Sequence, residues 1–371
     1  MLNALFSRLR TFSSRAVSNE PIHLLLRPEQ LLSDRYTILE QLGRGRQATV
    51  WLAEDRNVTG SRVAIKVLTD VATYGQGRVS YEKRVMERIS RMPTANDDTS
   101  HLLHLIDEFT MNGDHGEHLC LVTEVLGSSV LDLQRRNING KRAIAPLPQQ
   151  VVKQLARHVL RALQTLHEDC SVVHTDIKPD NILLKGVIVK TDPEDYWTDV
   201  LATRAVLVDY GSAVPLDSDV KHDHIIQPHA LRSPEALVGC PFDVKTDIWN
   251  FGCLIFELLT ARNLFQPKRV EGCSPLQYHL ARIFGTLADD SEMQRLTSFL
   301  RTGHFNDHYF DENGNLIITQ EARYRQSLPE VLKVYNVYTP ELLELLTAML
   351  CIHPVDRPSA RELLMMPWFQ V

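Results

Sequence analysis

The run His174-Thr175-Asp176-Ile177-Lys178-Pro179-Asp180-Asn181 gathers an acid, a cation and a carboxamide between Asp176 and Asn181. That combination suits transfer of a phosphoryl group from a magnesium-bound nucleotide to a hydroxyl. Asp176 can accept the hydroxyl proton, Lys178 can neutralise charge on the γ-phosphate, and Asn181 can hold Mg²⁺ through its side-chain oxygen. Alone the motif is moderately specific. Its weight depends on partners elsewhere in the chain.

Those partners stand in order. Leu42-Gly43-Arg44-Gly45-Arg46-Gln47-Ala48-Thr49-Val50 reads as a strand–turn–strand in which Gly43 and Gly45 let backbone amides approach nucleotide phosphates. Ala48 takes the third small position. Two nearby glycines more often mark a plain hairpin, so this loop draws its meaning from the strand after it. Val63-Ala64-Ile65-Lys66 is an apolar strand closing in a lysine, and burying an unpaired ammonium is costly. A phosphate-and-carboxylate site answers that cost, with Ala64 and Lys66 on the nucleotide. The carboxylate is expected from Glu82, which precedes Val85 by one turn on the stripe Val85, Met86, Ile89. Glu87 is the competitor, and both acids also read as solvated helix charges. Val206-Leu207-Val208-Asp209-Tyr210-Gly211 is a short buried strand ending in an acid that can chelate Mg²⁺, although Asp-Tyr-Gly by itself is a turn sequence.

The elements that must position these groups follow from periodicity. Tyr36–Leu39, Thr49–Ala53 and Arg62–Val67 read as strands, Ser80–Arg91 as a helix, and Leu102–Phe109 and Leu119–Glu124 as two more strands around the hairpin Asn112–Glu117. This is a small antiparallel sheet with one helix. After Leu126-Gly127 the pattern turns helical, beginning with Val151, Val152, Leu155, Val159, Leu160, Leu163 and Leu166. The architecture expected is α+β and bilobal, with a small lobe over 36–126 and a large, mainly helical lobe over 127–371. Glu124 and Leu126 fall at the join, where their backbone groups can pair with an adenine edge. Glu235 and Arg357 are expected to pair, since each would otherwise be an unmatched charge near the core.

Composition sets the bounds. A chain of 371 residues with 44% hydrophobic and 23% charged residues is ordinary for a globular protein. A net charge of −6 gives no reason to expect direct nucleic-acid binding and tolerates a basic peptide substrate. The six cysteines lack CxxC spacing and read as reduced, mostly buried thiols, which favours a cytoplasmic or nuclear protein. No apolar run approaches a membrane span, and no membrane partner is expected. Residues 1–35 read as a basic leader. Within 1–19, Arg8, Arg10 and Arg15 with no acid before Glu20 match either a mitochondrial transit peptide or a disordered extension.

Taken together, residues 36–369 resemble the eukaryotic protein kinases, and within them the SR-protein kinase (SRPK) branch of the CMGC group. The narrower resemblance rests on His-Thr-Asp-Ile-Lys-Pro at 174–179, TVWLAED at 49–55, HLCLVTEVLG at 118–127 and DIWNFGCLIFELLTARNLF at 247–265. Arg232 before Ser-Pro-Glu matches the arginine typical of CMGC kinases, and QPHALRSPE is similar to fungal members. The resemblance implies ATP and Mg²⁺ as cofactors, Ser/Thr specificity and arginine/serine-rich protein substrates met by a monomer. Such substrates imply an acidic docking groove. Only Glu271 is acidic within 266–282, with Asp289, Asp290 and Glu292 following. A non-catalytic scaffold of this family would have lost the lysine, the base or a metal ligand. None is lost here.

Overall fold

Strand follows strand from Leu31 to Leu68 because β-branched and aromatic residues alternate with polar ones, and one face of that sheet closes over an apolar core. The computed structural model describes residues 21–92, 101–138, 141–190, 196–217, 226–288, 293–317 and 325–370. Two compact units result, Met1–Lys83 with His104–Val125 and Arg84–Leu103 with Leu126–Val371.

The first unit is built on β1 (Leu31–Leu32), β2 (Tyr36–Arg44), β3 (Ala48–Asp55), β4 (Arg62–Leu68), β5 (Leu105–Gly113) and β6 (Gly116–Glu124). They form one antiparallel sheet in the order β1-β2-β3-β4-β6-β5. Its core includes Tyr36, Ile38, Trp51, Val63, Ile65 and Val122. The structure corrects three expectations. Residues 21–35 are not a free leader: Leu26 and Leu32 are buried in the sheet core, and Glu29 N donates to Ile38 O at 2.8 Å. The leucine run His23–Leu26 carried that signal, since a solvated extension has no use for it. Among the described residues the sheet is also accompanied by two helices, α1 (Asp70–Tyr74), capped by Thr69, and α2 (Glu82–Ser90). Five residues are too few for a helical period to show in sequence. The boundary between the units also departs from a single cut at 126, because Arg84–Leu103 packs with the second unit. Residues 1–19, with their targeting reading, lie outside the described residues.

The second unit opens with α3 (Val130–Gln134) and a hairpin of β7 (Arg135–Ile138) and β8 (Lys141–Ile144). Then comes α4 (Gln149–Gln164), whose buried face is Val151, Val152, Leu155, Val159, Leu160 and Leu163. Short strands follow, β9 (Val172–Val173), β10 (Ile182–Leu184), β11 (Ala205–Leu207) and β12 (Val214–Pro215), with α5 (Trp197–Ala202) between β10 and β11. The remaining helices are α6 (Pro234–Val238), α7 (Lys245–Thr260), α8 (Pro275–Leu287), α9 (Met293–Leu300), α10 (Leu328–Val334), α11 (Pro340–Met349) and α12 (Ala360–Leu364). Helix α7 is buried almost all round, Trp249, Phe251 and Phe256 included, so it is the axis of this unit. No helix among the described residues is long and apolar enough to cross a membrane.

Candidate active site

Strand β4 delivers Lys66 and helix α2 delivers Glu82. Lys66 Nζ donates to Glu82 Oε1 at 2.5 Å, and the Glu82 side chain is buried. Glu87, the alternative, points along the helix and meets Arg91 at 3.5 Å. Ala64 pairs in register with Thr123 and Val63 with Glu124, so Ala64 and Glu124 close the same end of the β4–β6 ladder. The loop of Leu42, Gly43, Arg44, Gly45, Arg46 and Gln47 is exposed or half-buried, whereas Ala48 and Thr49 are buried and Val50 pairs with Lys66 in register. A Cβ at Gly43 would meet nothing within 4 Å, and Gly45 N donates to Ala48 O at 2.9 Å. The two glycines thus leave open space, as an anion cradle requires. Leu126 belongs to the second unit, one residue before Gly127.

In the second unit one carboxylate organises the catalytic loop. Asp247, wholly buried on α7, accepts from the backbone N–H of His174 at 2.7 Å and of Thr175 at 2.9 Å, and lies 2.9 Å from His167 Nε2. Asn250, one turn on, accepts from Ile177 N at 3.1 Å. Those bonds hold Thr175 in the left-handed region, φ 67°, a conformation that costs energy for a β-branched residue. His174 Nε2 lies 3.1 Å from the Val208 carbonyl and Nδ1 lies 3.3 Å from Asp176 N. A carbonyl can only accept and an amide only donate, which assigns the ring proton to Nε2.

Asp176 is thereby presented with its oxygens distinguished. Oδ2 accepts from Lys178 Nζ at 2.6 Å and from Asn181 Nδ2 at 3.1 Å. Asn181 Nδ2 also donates to the Asp176 carbonyl at 2.9 Å, which orients the side chain so that its Oδ1 could face a metal. The antiparallel pair β10–β11 sets Ile182 opposite Leu207, and Val208 N donates to Asn181 O at 2.9 Å. Asn181 precedes one strand and Asp209 follows the other, so both oxygen donors emerge at the same end of the ladder. Asp209 is left-handed, φ 66°. Tyr210 is buried behind it, its hydroxyl donating to Leu207 O at 2.9 Å and accepting from Leu103 N at 3.0 Å.

An amide oxygen and a carboxylate are hard donors that fit Mg²⁺, which is held by one or two protein oxygens together with phosphates and water. The described residues contain no cluster of three or more His, Cys, Asp or Glu that could hold a metal ion. Sequence reasoning took Asp247 and Asn250 only as part of the resemblance motif at 247–265. An acid and an amide inside an apolar helix were the available signal, because buried polar groups need partners. It also passed over Glu257, further along α7. Burial raises its carboxyl above the ordinary range, and the nearby Asp180 charge adds to the shift.

The arrangement is that of a protein kinase. A sequence model of the protein kinase domain matches residues 36–369, and the chain belongs to that family. It is an ATP-dependent serine/threonine protein kinase. Within the family it is similar to the SR-protein kinase and CLK types. A serine/threonine-protein kinase SRPK of Physarum polycephalum is 28% identical over 91% of this chain and 87% of its own length. Protein kinase dsk1 of Schizosaccharomyces pombe is 24% identical over 92% and 82%. The dual specificity protein kinase CLK2 of Homo sapiens is 29% identical over 94% and 66%. A crystal structure of a kinase domain superposes with a TM-score of 0.72 at 21% identity, covering 94% of this chain and 99% of that one, which shows the shared α+β fold.

Proposed function

We propose that this kinase transfers the ATP γ-phosphate to serine in arginine-rich protein segments, with Asp176 as proton acceptor. Its Oδ2 is occupied by Lys178 and Asn181, and Oδ1 remains to receive the hydroxyl proton. Lys178 would neutralise charge on the γ-phosphate as it is transferred. Lys66, fixed by Glu82, and the backbone amides of the 42–50 loop would hold the phosphates, while Ala64, Glu124 and Leu126 would border the base. Asn181 and Asp209 would hold Mg²⁺, which supplies neutralisation of phosphate charge.

Specificity for arginine is supported by the charge around the catalytic loop. Asp180 lies inside that loop, and the half-buried Glu257 has its carboxyl raised first by burial and then by the Asp180 charge. Two mutually repelling carboxylates suit a guanidinium from the substrate. The names of the SRPK relatives point the same way. Glu271 is exposed and available to a basic tract, while Asp289, Asp290 and Glu292 lie outside the described residues. A peptide library assayed with purified protein tests the reading. Arg-Ser repeats should be preferred over Ser-Pro and acidic peptides, and equal use of all three would refute the arginine preference.

A further inference from the structure

The phenol of Tyr210 closes a ring in the chain around Asp209. Its hydroxyl donates at 2.9 Å to the carbonyl three residues earlier, Leu207 O, so Val208 and Asp209 are enclosed by that bond. The same oxygen accepts from Leu103 N at 3.0 Å. Leu103 ends a short strip that runs beside β11. Leu102 bridges Leu207 in parallel, Leu103 N also reaches Leu207 O at 3.3 Å, and His101 Nδ1 lies 3.0 Å from Ala205 O. Strip, strand and turn all belong to the second unit.

Asp209 needs such support. It is left-handed, φ 66° and ψ 77°, a conformation that a residue with a Cβ keeps only where its surroundings over-determine it. Before it, Val208 N donates to Asn181 O at 2.9 Å. After it, Tyr210–Ser212 form a single tight turn in which Ala213 N donates to Tyr210 O at 3.0 Å and Thr175 Oγ1 donates to Ser212 O at 2.8 Å. The Tyr210 ring is wholly buried, with the His174 ring edge-on to it at 5.8 Å between centroids.

We propose that Tyr210 is a positioning residue for the metal, its hydroxyl a latch that keeps Asp209 at the end of the β10–β11 ladder where Asn181 emerges. The proposal rests on the reading of Asn181 and Asp209 as Mg²⁺ ligands and concerns how one of them is held. A phenylalanine ring would fill the same space through apolar burial alone. The hydroxyl adds direction, because with the ring in place it has a donor and an acceptor, and with the ring displaced both bonds are broken and the buried Leu103 N–H loses its nearer acceptor. Only such a difference between two arrangements shifts the balance between them. The latch therefore favours the metal-facing arrangement before any metal arrives.

The test uses full-length wild type, Tyr210→Phe and Asp209→Asn, measuring kcat against free Mg²⁺ at saturating ATP and Arg-Ser peptide, and following deuterium exchange of the Leu103 amide. Tyr210→Phe removes one oxygen atom and keeps the ring. Its Mg²⁺ concentration for half-maximal rate should rise about three- to tenfold, as the fraction of molecules with Asp209 in place falls. At saturating Mg²⁺ its kcat should return to within about twofold of wild type, since bound metal selects the same arrangement. Peptide KM should stay nearly unchanged, and the Leu103 amide should exchange faster. A wild-type Mg²⁺ requirement in Tyr210→Phe, with faster exchange at Leu103, would reduce the phenol to a packing role and overturn the proposal. So would a loss of kcat that saturating Mg²⁺ does not restore. Asp209→Asn tests the underlying reading separately: a Mg²⁺ requirement equal to that of wild type would remove Asp209 as a metal ligand, whatever Tyr210→Phe does.

Discussion

Arg357 and Glu235 meet as a two-pronged pair with both side chains buried, Nη1 to Oε1 at 2.6 Å and Nη2 to Oε2 at 2.8 Å. The guanidinium also donates to the carbonyls of Cys351, Lys245 and Ile352, so the arginine is saturated. Removing either partner strands a charge in the core. Arg357→Ala or Glu235→Ala should cost about 3–5 kcal/mol in denaturant unfolding, whereas replacing both with apolar residues should cost less than the sum.

The same pair sets a pH dependence. Burial would raise the Glu235 carboxyl, but the Arg357 charge and its hydrogen bonds outweigh it and hold the group below its ordinary value. A carboxyl lowered in the folded state contributes stability that is full above its ordinary value and lost as pH falls through the lower folded one. Unfolding midpoints followed into acid should therefore drop more steeply for wild type than for the double apolar replacement. Parallel curves would contradict the pairing energetics.

Phosphoryl transfer should separate the site residues by role. Lys66→Met and Asp209→Ala should each lower kcat by about 10²–10³ or more in a folded protein, since they remove charge that stabilises the transition state. Asp176→Ala should lower kcat by about 10²–10⁴ while ATP affinity holds, because its task begins only when the hydroxyl is present. Single-turnover assays with ATP titration distinguish the two patterns.

Glu257 should trade stability for substrate recognition. Its folded carboxyl is raised by burial and then by Asp180, so its stabilising contribution is full at low pH and lost as pH rises through the raised value. Glu257→Gln should accordingly be as stable as wild type or slightly more so at neutral pH, yet raise KM for an Arg-Ser peptide by about tenfold. An unchanged KM would remove Glu257 from the substrate path.

Gly127 admits no side chain. A Cβ there would stand 2.0 Å from the Val187 carbonyl oxygen and 2.8 Å from that of Leu184, while Gly127 N donates to Leu184 O at 2.7 Å. These are backbone atoms and cannot swing aside. Gly127→Ala should cost about 3 kcal/mol or more, read as a lower melting temperature.

What the sequence disclosed was chemistry compressed into short spans. Asp176, Lys178 and Asn181 share one loop, and Glu82 betrays itself by lying on the buried stripe of its helix. Glu235 and Arg357 could be matched at long range because two charges near a core have few alternatives. The alternatives multiply for exposed or neutral groups. Asp217 accepts a hydrogen bond from Arg84 at 3.0 Å across 133 residues, and nothing local distinguishes it from any other surface acid. Asp247 reaches back 73 residues to the His174 amide, a bond that leaves no periodic trace. Tyr210 sits in what by itself reads as a turn sequence, yet its phenol bridges Leu207 and Leu103, a pair of partners phenylalanine could not serve.

Because Asp247 ties the amides of His174 and Thr175 to the most buried helix of its unit, the catalytic loop belongs energetically to the core and not to the surface. Its amide protons should exchange with deuterium only when the whole unit opens, far more slowly than those of the 42–50 loop. An inhibitor that works by displacing the His174 segment would have to overcome the unfolding free energy of the large unit, whereas one that reshapes the glycine loop meets little resistance.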